Sequence, residues 1–542
     1  MRPLIIFFLS NLLYTNVFCQ FISEVVPPDT SIPIQNDTSE ARIKFAKTIT
    51  ADDIRAHLEV LASDEYEGRE TGEPGNNKAA QYIADYFKKL GLPIISEEFE
   101  YFQPIQFTSA GWEETEININ GKKFKHLWDY LAFPTSWDNM PTFNVDEVIH
   151  LGYGIDDPKY SDYKGVDVKD KVILIDMGEP VNKDSISYIT GTKTSSKWNN
   201  NIGEKLQLAK AKGVKMVLIL SPDLKSFLME NRKYVLGPSL ELGDLNSMEK
   251  TVPNHAYVST SLAKAIIGKQ KKKVIKKRKK ILKKGKTKAI DLPADFKAKF
   301  GNYMDLIEGF NVMGYIEGSD LKDEIVVVSA HFDHLGVRGE DIFNGADDNG
   351  SGTSTLLDIA EAYTMAKEAG YGPRRSLLFL LVTGEEKGLL GSQYFVENPV
   401  FPLKSMVADI NVDMIGRVDE KYKDNPNYIY VIGSDRLSTQ LHEINKNANN
   451  NFTQITLDYT YNSEEDPNRF YYRSDHYNFA AKGIPAIFYF SGVHEDYHRP
   501  TDTADKIMYN KVATIGELIF QTIWDLSNRD ERIVVDVEEL KD

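Results

Sequence analysis

Beyond about residue 291 the chain alternates between short, mostly apolar runs and longer stretches whose apolar positions recur at helical spacing. The apolar runs predict buried strands at 325–329, 376–382, 406–412 and 485–490, since an unbroken apolar run suits a strand covered on both faces. Leu356, Ile359, Ala360 and Tyr363 line one face of a helix expected at 351–367. Ile515, Leu518, Ile519, Thr522 and Leu526 do the same at 508–527. Helical spacing also appears upstream, in Ile54, Leu58 and Leu61 and again in Ala80, Ile83 and Phe87. Between those two helices lies the turn SDEYEGRETGEPGNN, with Gly68, Arg69 and Gly72. Strands alternating with helices predict an α/β domain, a central sheet flanked by helices.

The middle of the chain breaks this pattern. Residues 93–170 read as short strand-like segments rich in Trp, Tyr and Phe. A buried strand is expected at 171–176 (KVILID), a short helix at 204–212 ended by Gly213, and a second strand at 214–220 (VKMVLIL). With the VPNHAYVS segment at 252–259, these predict a β-rich domain inserted at 135–290. It ends in GKQKKKVIKKRKKILKKGKTK, residues 268–288, of which thirteen are Lys or Arg. Such a run can meet a nucleic acid or an anionic surface. The simpler expectation is a solvated helix or loop that docks through Val274, Ile275, Ile281 and Leu282.

Length and charge narrow the picture. At 542 residues more than one domain is expected, and a hydrophobic content of 42% allows sizeable cores. A net charge of −16 argues against a general nucleic-acid binder. Residues 1–19 have the basic start and apolar core of a secretory signal peptide, with Val17 and Cys19 as cleavage-site residues and Gln20 first in the mature chain. Lipidation of Cys19 is the alternative, though Phe18 before it suits a lipoprotein signal poorly. Residues 20–44 read as a polar linker. No other stretch is long and apolar enough for a membrane span, so the protein is expected to be secreted or periplasmic. Cys19 is the only cysteine, so any metal must be held by His, Asp and Glu.

Those residue types gather where the strands stop. His331 and Asp333 follow the first apolar run, Asp347 and Asp348 precede a helix, Glu385 and Glu386 follow the second run, Asp413 the third, and His498 the last. The carboxyl ends of strands are where an open α/β sheet places a ligand or metal. Singly each has a plain explanation: Asp347 could be a helix cap, the glutamate pair surface charge, His331 a structural histidine. Their joint placement, each before a glycine turn or polar loop, is not what surface charge produces. A two-metal hydrolytic site needs a bridging carboxylate, terminal ligands and a base, and this set can supply all three.

The series AHFDH, GADDNGSG, TGEEKGLLGS, NVDMIG, SDH and DYHRPTDT resembles the di-zinc aminopeptidases of metallopeptidase family 28. The resemblance covers about 45–100, through EGRETGEPGNNKAAQYIADYF, and 300–525. KDKVILID and KLQLAKAKGVKMVLIL resemble a protease-associated domain. The resemblance implies a zinc-exopeptidase fold with a mixed central sheet, its catalytic domain formed by residues 45–134 and 291–542 around the insert at 135–290. It implies two Zn2+ ions per chain, one held by His331, Asp347 and Asp413 and the other by Asp347, Glu386 and His498, with Asp347 bridging. It assigns the general base to Glu385, the orientation of His331 to Asp333, and oxyanion stabilisation to Tyr497. It also implies a cis peptide between Asp347 and Asp348. His334, His476 and His494 are not needed as ligands, and His476 is a candidate to line the substrate pocket.

The implied activity is removal of amino-terminal residues from peptide substrates, with no nucleic-acid partner. Rival readings are a carboxypeptidase or dipeptidase, or a glutaminyl cyclase, on the same scaffold. A further one, from another class, is a non-catalytic peptide-binding protein. Substrate-shaping loops are expected at 417–426 and 455–480.

Overall fold

The computed structural model describes the pair Val25–Val26 and residues 40–98, 100–134, 138–231, 238–248 and 250–537. The expected signal peptide, Cys19 included, lies outside the described residues. The described residues divide into two compact units: 107–306, and 40–106 together with 307–537.

The second unit is a mixed α/β sheet. Four neighbouring strands are parallel: Ala486–Phe490, Met406–Val412, Leu321–His331 and Arg375–Val382, in that spatial order. Tyr428–Ile432 runs antiparallel beside the first, and residues 312–316 run antiparallel beside the last. Both faces are covered, as the unbroken apolar runs require. Along Leu321–His331, Val326, Val328 and Ala330 pack with Leu356 and Ile359 of the helix Gly352–Glu368. Ile325 and Val327 turn to the other face, with Leu378, Leu380 and Phe395. The helices Ala51–Leu61, Pro74–Lys89 and Tyr509–Asn528 bury their apolar stripes in the first of these cores. Thr50 caps Ala51–Leu61 by accepting from the Asp53 amide at 3.1 Å.

The unit 107–306 is built on a parallel run of strands. Met140–Gly152, Val172–Asp176, Met216–Leu220 and Asn254–Val258 lie parallel in that order, with the helix Ile202–Ala211 joining the second to the third. The unit is wider than the expected 135–290, because flanking segments supply strands to it. Tyr130–Leu131 pairs with Asn254–Val258, and residues 107–110 of Phe102–Ile119 pair with Ser239–Leu242. Residues 107–134 therefore belong to this unit and not to the amino-terminal part of the other. The segments expected to be short include long strands, Phe102–Ile119 and Met140–Gly152.

The basic run forms the helix Lys271–Lys284. Its docking stripe differs from the expected four residues: Val274 and Ile281 are buried, but Ile275 and Leu282 stay 43% and 47% exposed. Lys277 takes the middle buried position and donates from Nζ to the His150 carbonyl at 2.8 Å. Burial lowers its pKa to about 8. Gly285 ends the helix at φ +59°, where a Cβ would stand 2.5 Å from the Tyr188 ring.

Ile281→Ala is expected to cost roughly 2–5 kcal/mol of unfolding free energy, and Leu282→Ala less than about 0.5 kcal/mol. Urea denaturation measures both; equal losses would mean that the buried face has been assigned wrongly.

Candidate metal centre

Each of the four parallel strands delivers acidic or imidazole side chains at its carboxyl end. His331 is the last residue of Leu321–His331, and Asp413 follows Met406–Val412 directly. Glu385 and Glu386 follow Arg375–Val382 after Thr383-Gly384, and His494 and His498 lie beyond Ala486–Phe490. Asp347 and Asp348 come from the turn that enters the helix Gly352–Glu368. Adjacent parallel strands end about 4.8 Å apart, so their first loop residues converge without any long side chain.

Two donor clusters result, and Asp348 belongs to both. The first is His331, Asp348 and Asp413: His331 Nε2 lies 3.4 Å from Asp348 Oδ1 and 3.3 Å from Asp413 Oδ1. The second is His334, Asp348 and Glu386, with His334 Nδ1 2.8 Å from Glu386 Oε1. His498 joins this side, its Nε2 3.2 Å from Asp348 Oδ2 and 3.3 Å from Glu386 Oε2. The two oxygens of Asp348 thus face different imidazoles, as a shared carboxylate would.

Glu385 stands beside the first cluster, its Oε2 3.9 Å from His331 Nε2. Burial pushes its carboxyl well above the usual carboxylate range, against the opposing charge of His331. For His498, burial opposes protonation, but Asp348 and Glu386 push its pKa up to about 10.

The surrounding structure holds this charge in place. Arg69, fully buried, donates to the carbonyls of Phe332 (2.7 Å), Leu61 (2.6 Å), Asn344 (2.7 Å) and Gly345 (2.9 Å). It ties the loop after His331 to the loop before Asp348. Burial lowers its pKa to about 10, offset by the carboxylates of Asp348, Asp333, Asp502 and Glu386. Asp333 accepts from the amides of Glu385 (3.1 Å) and Glu386 (3.4 Å) and from Thr71 Oγ1 (2.9 Å). Its backbone carbonyl, rather than its carboxylate, is the nearer partner of His331 Nδ1, at 3.1 Å against 3.7 Å.

Asp347, expected as the bridge, faces elsewhere. Its Oδ1 accepts from the Gly416 amide at 2.6 Å and its Oδ2 lies 3.3 Å from His494 Nε2. Successive side chains diverge, and the amides of both Asp347 and Asp348 are held by the Asp502 carboxylate at 3.0–3.2 Å. With that backbone anchored, only Asp348 points between the clusters. The cis peptide is likewise one residue on, at Asp348-Asn349. Gly345, at φ +54°, admits the turn: a Cβ there would meet the Asp348 carbonyl at 2.2 Å and the His334 ring at 2.5 Å.

His331, Asp413, Glu385, Glu386 and His498 are brought together, and Tyr497 stacks on His498 with ring centroids 3.8 Å apart. A recess opens beside them, lined among others by Met414, Phe470, Arg473, Phe488 and Phe490. His476 does not line it; it is fully buried and stacked on Phe488. Of the two loops expected to shape the recess, 455–480 supplies Phe470 and Arg473. His334 is the residue that sequence reasoning passed over, although it stands only three positions after His331 in AHFDH.

The residues fit a pair of divalent cations. Glu386 Oε1 and His334 Nδ1 are buried and 2.8 Å apart, yet they are not aligned as a hydrogen bond, so both offer lone pairs to one point. The donors are all imidazole or carboxylate, suited to zinc and to its first-row neighbours.

Residues 311–523, which contain every donor above, match the model of Peptidase family M28. The chain is 26% identical over 230 residues to "Aminopeptidase YwaD" of Bacillus subtilis, covering 41% of this chain and 46% of that protein. It is 32% identical over 212 residues to a "Probable leucine aminopeptidase" of Arthroderma otae, covering 38% of this chain and 55% of that protein. The alignments thus span about half the length of these curated relatives. In fold it is similar to the aminopeptidase from Aneurinibacillus sp. strain AM-1, with a TM-score of 0.55 at 20% identity over 92% of this chain and 98% of that one.

Asp348→Asn is expected to release both metal ions and Asp347→Asn to retain them, as measured by metal analysis of the purified proteins. The opposite result would restore Asp347 as the bridge. His334→Ala should weaken metal affinity about 10–100-fold in chelator competition; an unchanged affinity would remove His334 from the centre.

Proposed function

We propose that this chain is an exported, zinc-dependent aminopeptidase that hydrolyses amino-terminal residues from peptides. The observation that carries this is the donor set itself: two clusters share Asp348, and a partly buried carboxylate, Glu385, stands beside them without belonging to either. The match to Peptidase family M28 and the aminopeptidase relatives support the reaction class. On the same reading, residues 107–306 form a protease-associated domain, supported by their parallel strand–helix–strand core.

His331, Asp348 and Asp413 would hold one zinc, and Asp348, Glu386 and His498 the other, with His334 close to the second. Two zinc ions bound there would lower the pKa of a shared water towards ~7 and polarise the scissile carbonyl. Glu385 takes a proton from the attacking water and returns it to the leaving amine. Tyr497, at the wall of the recess, donates from its hydroxyl to the developing oxyanion. Met414, Phe470, Phe488 and Phe490 make part of the recess apolar and suit an apolar side chain at the cleaved position.

One observation favours a second reading, a dipeptidase. The Arg473 guanidinium lines the recess, sits 4.8 Å over the Phe470 ring and forms no ion pair among the described residues. A substrate carboxylate would supply that partner.

Mass spectrometry of a mixed peptide set, with and without chelator, tests both. Chelator-sensitive shortening from the amino end, absent for acetylated peptides, is expected. Cleavage confined to dipeptides with a free carboxylate would favour the second reading, and shortening from the carboxyl end would overturn the first. Glu385→Gln should lower turnover about 10²–10⁴-fold while metal content stays unchanged; loss of metal would mean that Glu385 is itself a ligand.

A further inference from the structure

The helix Lys271–Lys284 is bound to its own unit by one narrow face. Val274 and Ile281 are buried, Lys277 reaches the His150 carbonyl, and Arg278 pairs with Asp176 at 2.5 Å. On the opposite face stand Lys272, Lys276, Lys279 and Lys283, at i, i+4, i+7 and i+11. All four are exposed, and none forms an ion pair among the described residues. Like charges at that spacing repel one another and disfavour the helix, so the array does not stabilise the fold. It stands out in a chain of net charge −16, and residues 268–288 contain no acidic side chain at all.

Between the buried stripe and the lysine face, Ile275 and Leu282 project from one flank. They lie seven residues apart, two turns, and are 43% and 47% exposed. Apolar side chains beside a basic face are what a helix lying on a lipid surface presents: the cations meet acidic headgroups while the apolar chains enter the boundary beneath them. A nucleic acid or an acidic polysaccharide offers the charge but no apolar layer to receive the two side chains.

We propose that this helix docks the inserted unit on a bilayer surface bearing acidic headgroups, through Lys272, Lys276, Lys279 and Lys283 with Ile275 and Leu282 as shallow apolar contacts. The docking is peripheral; among the described residues no helix is long and apolar enough to cross a membrane. It is independent of the reaction proposed above, because none of these residues belongs to the metal centre.

The test is co-sedimentation of the full mature chain with vesicles of phosphatidylcholine alone and with about 30% phosphatidylserine, at roughly 0.05 M and 0.5 M NaCl. Binding is expected only to the acidic vesicles at low salt. The quadruple variant Lys272→Glu, Lys276→Glu, Lys279→Glu and Lys283→Glu should bind at least about tenfold more weakly. The same four changed to Gln should also lose binding, and serve if the reversal impairs folding. Ile275→Ser with Leu282→Ser, which leaves the charge unaltered, should weaken binding several-fold. Peptide hydrolysis in solution by these variants should match that of the unaltered protein. Wild-type binding by the quadruple variants would overturn the proposal. So would tight, salt-sensitive binding to heparin or nucleic acid that the serine variant retains in full, with no binding to acidic vesicles; that would identify a soluble polyanion as the partner.

Discussion

A buried guanidinium holds the centre of this structure together. Arg69 spends its donors on four backbone carbonyls, from Leu61, Phe332, Asn344 and Gly345, so that two loops and the end of a helix are fixed to one rigid fork. One of those loops follows His331 and carries Asp333, and the other leads into Asp347 and Asp348. The charge matters as much as the geometry. Asp333, Asp348, Glu386 and Asp413 are crowded at the ends of adjacent strands, where like charges repel one another. The fixed Arg69 cation behind them offsets part of this charge.

The same crowding explains how work is divided between neighbouring residues. Asp347 and Asp348 share the backbone anchor at Asp502, yet one carboxylate serves the Gly416 amide and His494 while the other serves the two clusters. Glu385 and Glu386 share Asp333, yet Glu386 joins a cluster while Glu385 stays uncommitted. In both pairs one residue is used for structure or metal and its neighbour is left with a different task, because adjacent side chains cannot point the same way.

Much of this is legible in the sequence. The apolar runs marked all four central parallel strands, and the chemistry after each run marked the site. Three things were not. The carboxylate common to the two donor clusters is Asp348, one residue beyond the expected Asp347, since ADDN offers two aspartates and nothing in their spacing tells which carboxylate a distant backbone amide will occupy. His334 was passed over because it lies beyond the end of its strand, where direction depends on the loop and on the parallel bridge between Glu70 and His334. Lys277 was hidden within a lysine run, although its position, three after Val274 and four before Ile281, is that of a buried residue.

What the sequence determined by itself, then, is whatever follows from local periodicity and residue type: the strand and helix pattern, the gathering of acids and imidazoles at strand ends, the inserted unit and the basic run. The tertiary structure decided the choices between near-equals: Asp348 over Asp347, Val274 and Ile281 over Ile275 and Leu282, and how far the inserted unit extends. The reason is one of range. Periodicity is a property of neighbouring residues, whereas each of these choices was settled by a hydrogen bond or packing contact from a segment tens of residues or more away, Gly416 and Asp502 for the aspartates, His150 and Asp176 for the basic helix.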